Sequence, residues 1–293
     1  MSRISPLYSL VGESLRGHVL EVVTVEQCNL TCRSCTHQSP ASPGWQVDPG
    51  RLADVLATLG RAFSCDVVKL MGGEPLLHER LGDVIAAVRD SAVGAEVHLV
   101  TNGLLLARVK PAVLRGLDQV SVSVYPGIRI GDAAARVMEA LPLEAGVRVV
   151  KTPMPVFQES FSTRGTADEA LVRHIYDSCK VVHEWGCSTL FDRHFFKCPQ
   201  AYVLRRMTQG ESVDYDEVGI DVMAGSDAHA LRCALASYLN DPRPLISCNH
   251  CLGTSGASFA HVVAQRVHWM DLQDRPTERL LQPGTTWGAE RRE

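Results

Sequence analysis

Short apolar runs rich in Val and Leu recur through the first half of the chain, at residues 20–25, 66–71, 96–100, 119–124 and 147–151, and predict β-strands. Between them the apolar positions take helical spacing, first at Leu52, Val55, Leu56 and Leu59, then at Leu81, Val84, Ile85 and Val88. Strand and helix in alternation predict a parallel sheet with crossover helices, either open and doubly wound or curled towards a barrel. Five such strands are too few for a closed barrel of eight, so a partial barrel is expected. After about residue 175 the alternation stops. Residues 188–191 and 195–197 flank Asp192-Arg193-His194 and read as a hairpin. Residues 227–239 read as one helix, broken by Asp241-Pro242-Arg243-Pro244. The expected organisation is therefore a barrel over 1–175 and a small, loop-rich unit over 176–293.

Composition narrows the function classes. The 29 basic and 33 acidic side chains give a formal charge of −4, which leaves no broad basic face for nucleic acid. No apolar run approaches the roughly 18 residues that would span a bilayer, and residues 1–17 lack the apolar core of a secretory leader. A cytoplasmic protein is expected, with neither membrane nor nucleic acid as partner. In a reducing compartment, ten cysteines point to metal binding or redox chemistry more than to disulfides.

Cys28-x3-Cys32-x2-Cys35 follows the first strand. Three thiolates on one loop can ligate three irons of a [4Fe–4S] cube and leave the fourth open to a chelating molecule. A three-cysteine zinc site completed by His37 is the competing reading. Downstream, the second strand ends in Gly72-Gly73-Glu74-Pro75, the third in Thr101-Asn102-Gly103, and the fourth runs through Ser121-Val-Ser123. In a parallel β/α fold the strand C-termini share one edge, so these segments converge on the cysteine loop. Glycines there let backbone approach a ligand closely, and Glu74 could accept hydrogen bonds from a ligand ammonium.

Over roughly residues 18–180, the three-cysteine loop and the Gly-Gly-Glu-Pro segment resemble the radical S-adenosylmethionine (SAM) superfamily. The resemblance implies a partial (β/α)6 TIM-like barrel, with a [4Fe–4S] cluster on Cys28, Cys32 and Cys35 whose open iron binds SAM. It places Gly72, Gly73 and Glu74 around the methionine amino group, Pro75 and Asn102 on the same edge, and Ser123 near the ribose or carboxylate. Members often carry an aromatic residue before the third cysteine; here it is Ser34, so packing over the adenine must come from elsewhere.

The second half resembles a twitch domain, a small C-terminal iron–sulfur unit with one auxiliary [4Fe–4S] cluster. That resemblance assigns Cys179, Cys198, Cys248 and Cys251 as ligands, although the family's glycine at the hairpin tip is missing. Structural zinc on the same four thiols is the alternative. Cys187 is then spare and is the candidate hydrogen donor, with Cys179 as the alternative. Cys65 and Cys233 read as small buried hydrophobes. Residues 35–40, 124–127 and 197–201 resemble small enzymes of aminoglycoside biosynthesis, both the epimerases of the neomycin and hygromycin pathways and related dehydrogenases. The expectation is an epimerase of a cationic aminoglycoside sugar, supplied by an external electron donor of flavodoxin or ferredoxin type. A dehydrogenase or a peptide-modifying radical SAM enzyme is the alternative. Asp214, Asp216, Glu217 and Asp221 either meet substrate ammonium groups or form a solvated acidic loop.

Overall fold

The computed structural model describes residues 7–42, 44–210, 213–225 and 227–287. A short β1 (Ser9–Val11) turns back on the long β2 (Ser14–Val25). The chain then runs α1 (Pro49–Leu59), β3 (Phe63–Gly72), α2 (Leu81–Ser91), β4 (Gly94–Thr101), β5 (Gln119–Val124), α3 (Asp132–Glu144) and β6 (Arg148–Pro153). β7 (Val156–Gln158) leaves the sheet, and α4 (Glu169–Asp177) leads to the hairpin β8 (Cys187–Phe191) and β9 (His194–Phe196). α5 (Pro199–Gln209), β10 (Ile220–Asp221), α6 (Ala228–Asn240) and β11 (Ser258–Ala260) complete the regular elements.

The main sheet has the order β10-β9-β8-β2-β3-β4-β5-β6, with β1 on β2. The ladders from β8 through β2 to β6 are all parallel, which is the mixed α/β, partial TIM-like fold expected. Its sixth parallel strand, β8, docks against β2 and not beyond β6. The far edge is closed to further pairing in that direction: β6 ends on Pro153, which has no N–H to donate, and β7 turns away to pair with β11. The sheet therefore runs unbroken across residue 175, and the cysteine-rich second half begins as a barrel strand.

The two helical faces pack as their spacing predicts. Leu52, Val55, Leu56 and Leu59 of α1 and Leu81, Val84, Ile85 and Val88 of α2 are buried in one core against Leu20, Val22, Val68 and Leu70 of the sheet. Asp48 caps α1 by accepting from Arg51 N at 2.9 Å, and Asp227 caps α6 by accepting from His229 N at 2.9 Å. Between β4 and β5 there is no α-helix; Pro111 and its neighbours form only short 3₁₀ turns. Cys65 is buried as expected, but Cys233 is exposed. The buried stripe of α6 is Leu231, Leu235 and Leu239, and a residue two positions from Leu231 falls off that face.

Register orders the barrel interior into layers. Glu21 lies opposite Lys69 and Thr189, Lys69 opposite His98, and His98 opposite Gln119. Val23 and Met71 form the next layer towards the strand C-termini, while Cys187 pairs with Val19 in the layer below.

Candidate active site and two cysteine sets

The loop that carries Cys28, Cys32 and Cys35 is seated from two sides. On one side the end of β3 pairs with it: Gly73 N donates to Val25 O at 2.7 Å and Glu74 N to Gln27 O at 2.8 Å. A Cβ on Gly72, whose φ is 134°, would lie 2.2 Å from Val25 O, and one on Gly73 only 2.0 Å from Gln27 O. These glycines are thus required first by the approach of strand to loop, before any ligand. On the other side, a segment near residue 262 straps the loop. Arg33 N donates to Val262 O and Ala264 N to Thr31 O, each at 2.9 Å, while Trp269 Nε1 donates to Cys32 O at 2.8 Å. His261 Nε2 comes within 3.1 Å of Cys32 Sγ, its ring stacked on Tyr125. Nothing in the local sequence marks this strap, because its partners lie more than 220 positions earlier.

Above the strand C-termini opens a cavity of about 540 Å³, lined by the three loop cysteines together with Gly72, Gly73, Glu74, Asn102 and Ser123. Pro75 lies behind it, at the start of a 3₁₀ turn. Glu74 is 1% exposed and already holds three protein donors: Thr101 Oγ1 at 2.6 Å, Asn102 N at 2.8 Å and Leu76 N at 3.0 Å. Its carboxylate therefore locks the Gly-Gly edge to the Thr101–Asn102 turn, with little acceptor capacity left for a ligand. Asn102 in turn donates through Nδ2 to Asn29 Oδ1 at 2.6 Å and points at Cys28 Sγ at 3.8 Å. Tyr125, from the 124–127 segment, also lines the cavity, as do Phe157, Glu159 and Ser160, which no sequence motif marks. Glu159 is ion-paired with Arg33. His37 lines the cavity too, but its buried Nε2 has no hydrogen-bond partner among the described residues, and burial pushes the imidazole down to about 4.

Burial pushes the thiols of Cys28 and Cys32 up to about 12, and nearby thiols add to the effect. Among the described residues no cation offsets this, and a bound iron is the partner that would favour their ionised form. The donor set thus suits a cluster.

Cys179, Cys198, Cys248 and Cys251 gather around a second, small pocket that Tyr176 and Gly253 complete. Burial raises all four thiols, Cys248 to about 11. Cys198 sits at the N-cap of α5, where Gln200 and Ala201 turn backbone N–H groups towards its sulfur. Gly253 N donates to Cys251 Sγ at 3.2 Å. Gly253 also lines the large cavity, so one glycine stands between the two sites. Cys187 belongs to neither. It lies in the barrel floor, bonded to the buried Glu21 carboxyl, and burial raises its thiol to about 12. The acidic run faces elsewhere as well: Glu217 pairs with Arg205, Asp221 with Arg193 and Asp216 with His194, and none of these residues lines the cavity.

Residues 22–142 match the model of the radical SAM superfamily. Among curated proteins, the GTP 3′,8-cyclase of Mycobacterium marinum is 34% identical over 160 residues, covering 52% of this chain and 44% of that protein. A probable GTP 3′,8-cyclase of Archaeoglobus fulgidus is 28% identical over 147 residues, 47% of this chain and 48% of that one. The chain thus spans less than half the length of these relatives. Among solved structures, BtrN in complex with AdoMet and 2-DOIA aligns over 81% of this chain and 93% of that one, at 19% identity and a TM-score of 0.48. No helix among the described residues is long and apolar enough to cross a membrane. The superfamily match spans the strands that carry the cysteine loop at their C-termini, so it is residues 22–142 that are similar to the radical SAM superfamily.

Proposed function

We propose that this chain is a radical SAM oxidoreductase that converts a hydroxyl-bearing carbon of a small cationic sugar into a ketone. Cys28, Cys32 and Cys35 would hold one [4Fe–4S] cluster, and Cys179, Cys198, Cys248 and Cys251 a second. The Gly72–Glu74 edge, Asn102 and Ser123 would receive SAM, with Tyr125 and Phe157 as aromatic faces for its adenine. When bound, these groups supply a deoxyadenosyl radical that removes a hydrogen atom, and an acceptor for one electron.

The observation that carries the reading is Gly253, which lines both the cavity and the four-thiol pocket. A carbon that has lost a hydrogen atom becomes a ketone by losing one electron and its hydroxyl proton, and a cluster on the four thiols would receive that electron across this shared wall. Epimerisation instead needs a thiol facing that space. Among the described residues the only cysteines lining the cavity are the three of the loop. Cys187 lies beneath its floor, below the layer of Glu21, Lys69 and His98, and this favours the dehydrogenase over the epimerase.

The sugar class rests on sequence resemblance, and two of the resembling segments supply Cys35, Thr36, His37, Ser39 and Tyr125 to the cavity wall. An external one-electron donor of flavodoxin or ferredoxin type completes the scheme. Cyclisation of GTP is not carried over, since that similarity covers only about half of this chain.

Anaerobic reconstitution should load about eight irons per chain. With a reductant, SAM and aminoglycoside sugars, the holoenzyme should form 5′-deoxyadenosine together with a product two hydrogens lighter that hydrazine traps. A product of unchanged mass carrying one solvent deuterium would establish epimerisation instead. About four irons, or stoichiometric zinc, would refute the second cluster.

A further inference from the structure

Lys197 precedes Cys198 and ligates nothing, yet its side chain is only 2% exposed. Its Nζ donates to Asp241 O at 2.8 Å and to Tyr176 Oη at 3.4 Å, and lies 5.3 Å from the centroid of the Tyr238 ring and 5.9 Å from that of Tyr176. Among the described residues no carboxylate forms an ion pair with it; Asp241, whose carbonyl it bonds, turns its carboxylate to Arg243 at 2.6 Å. An ammonium withdrawn from water without an anion is expensive. Two tyrosine faces and a carbonyl offset part of that cost, and the Asp241 carboxylate, held by Arg243, adds only an attraction without contact.

A stronger counter-charge has a place. Tyr176, against which the ammonium rests, is itself a wall of the four-thiol pocket, and Cys198 of that pocket is the next residue in the chain. Four thiolates outweigh the charge of the oxidised cluster core they ligate, so the loaded site is a buried dianion that becomes a trianion on reduction. Neutral thiols and a lone buried ammonium do not match each other; a loaded site and the same ammonium do.

We infer that Lys197 is the counter-cation of the second iron–sulfur site and sets its reduction potential. This rests on the second-cluster reading above. Fixed positive charge favours the reduced, more negative form of the cluster, so Lys197 makes that site a better electron acceptor. Tyr176 and Tyr238 hold the ammonium in register with it. The competing role is structural, since Asp241 is the C-cap of α6 and a lysine there also satisfies a helix-end carbonyl.

Lys197→Gln keeps a donor for Asp241 O and removes the charge, while Lys197→Arg keeps the charge. Each is made in the full chain, reconstituted, counted for iron and titrated by EPR under controlled potential. SAM perturbs only the open-iron cluster, so the insensitive signal identifies the second. At a poise where the wild-type second cluster is half reduced, its ratio of reduced to oxidised form should fall severalfold in Lys197→Gln and stay near wild type in Lys197→Arg. Loss of about four irons in Lys197→Gln with retention in Lys197→Arg also supports the inference. An unmoved midpoint in Lys197→Gln overturns it, as does equal loss of the cluster in both variants, which would mark a packing role. A wild type that loads only about four irons refutes the second-cluster reading itself, before any variant is compared.

Discussion

Gly73→Ala tests whether the Gly-Gly segment serves the cysteine loop before it serves a ligand. A Cβ there would stand 2.0 Å from Gln27 O and 2.5 Å from Glu26 O, where ordinary contact begins at 3.4 Å. Strand and loop must therefore part by 3.4 − 2.0 = 1.4 Å. The bonds from Gly73 N to Val25 O and from Glu74 N to Gln27 O start at 2.7 and 2.8 Å, so that displacement takes both out of range. Two lost bonds, with buried polar groups left unpaired, cost on the order of 2–5 kcal/mol. A domain stable by about 5–15 kcal/mol survives that, so the damage should fall on the loop. Urea unfolding should show the lower stability with far-UV circular dichroism unchanged, and reconstitution should yield about four irons fewer per chain. Gly225→Ala, where nothing lies within 4 Å of the added methyl and φ is not positive, is the control and should be nearly neutral. If Gly73→Ala binds full iron and matches the wild type within about 0.5 kcal/mol, the seating role assigned to these glycines is wrong.

Replacing Cys28, Cys32 and Cys35 together by Ala should abolish reductive 5′-deoxyadenosine formation while the second set keeps its iron; any turnover above background contradicts the open-iron loop. Cys187→Ala should retain all the iron and the product, because that thiol sits in the barrel floor; loss of product with iron intact would restore it as a hydrogen donor. Glu74→Gln places an amide N–H₂ against backbone donors and should cost on the order of 1.5–3 kcal/mol, visible as a lower melting temperature together with weaker SAM binding in equilibrium dialysis. Neither changing would remove Glu74 from the site. Burial raises the Glu21 carboxyl from 4.5 to about 7, so between those values the folded chain holds a proton that the unfolded chain has released. Stability should therefore fall as pH rises through that window, by roughly 3 kcal/mol in all, and Glu21→Gln should flatten the curve; an unchanged slope in urea titrations from pH 5 to 8 would refute the assignment.

Local patterns carried the barrel. Period-two and period-3.6 spacing suffices for elements whose neighbours are adjacent in sequence, so β2 to β6, α1 and α2 are legible in apolar positions alone. β8 was legible as half of a hairpin but not as the sixth parallel strand, because its partner β2 lies far upstream and only Pro153 hints that β6 is an edge. The site divides similarly. Cysteine spacing is a local code and marked the loop of Cys28, Cys32 and Cys35, whereas the four thiols that line the second pocket came from the resemblance to a twitch domain. Spacing says nothing about which spare thiol faces a cavity, and Cys187 went to the floor because pairing with Val19 fixes its depth in the barrel. Glu74 looked like a free carboxylate in sequence; its three donors come from two separate turns.

The strap across the cysteine loop bears on the order of assembly. The three thiols emerge within eight consecutive residues, but His261, which meets Cys32, follows it by 229 positions. Contacts of such long range form late in folding. A nascent chain consequently displays a loose tripod of sulfurs long before their seat exists, and iron offered at that stage finds ligands without geometry. Delivery after residues 261–269 have folded back meets a fixed site. Maturation factors that sense the closed strap would thus distinguish finished chains from unfinished ones by shape alone, and would spend no iron on the latter.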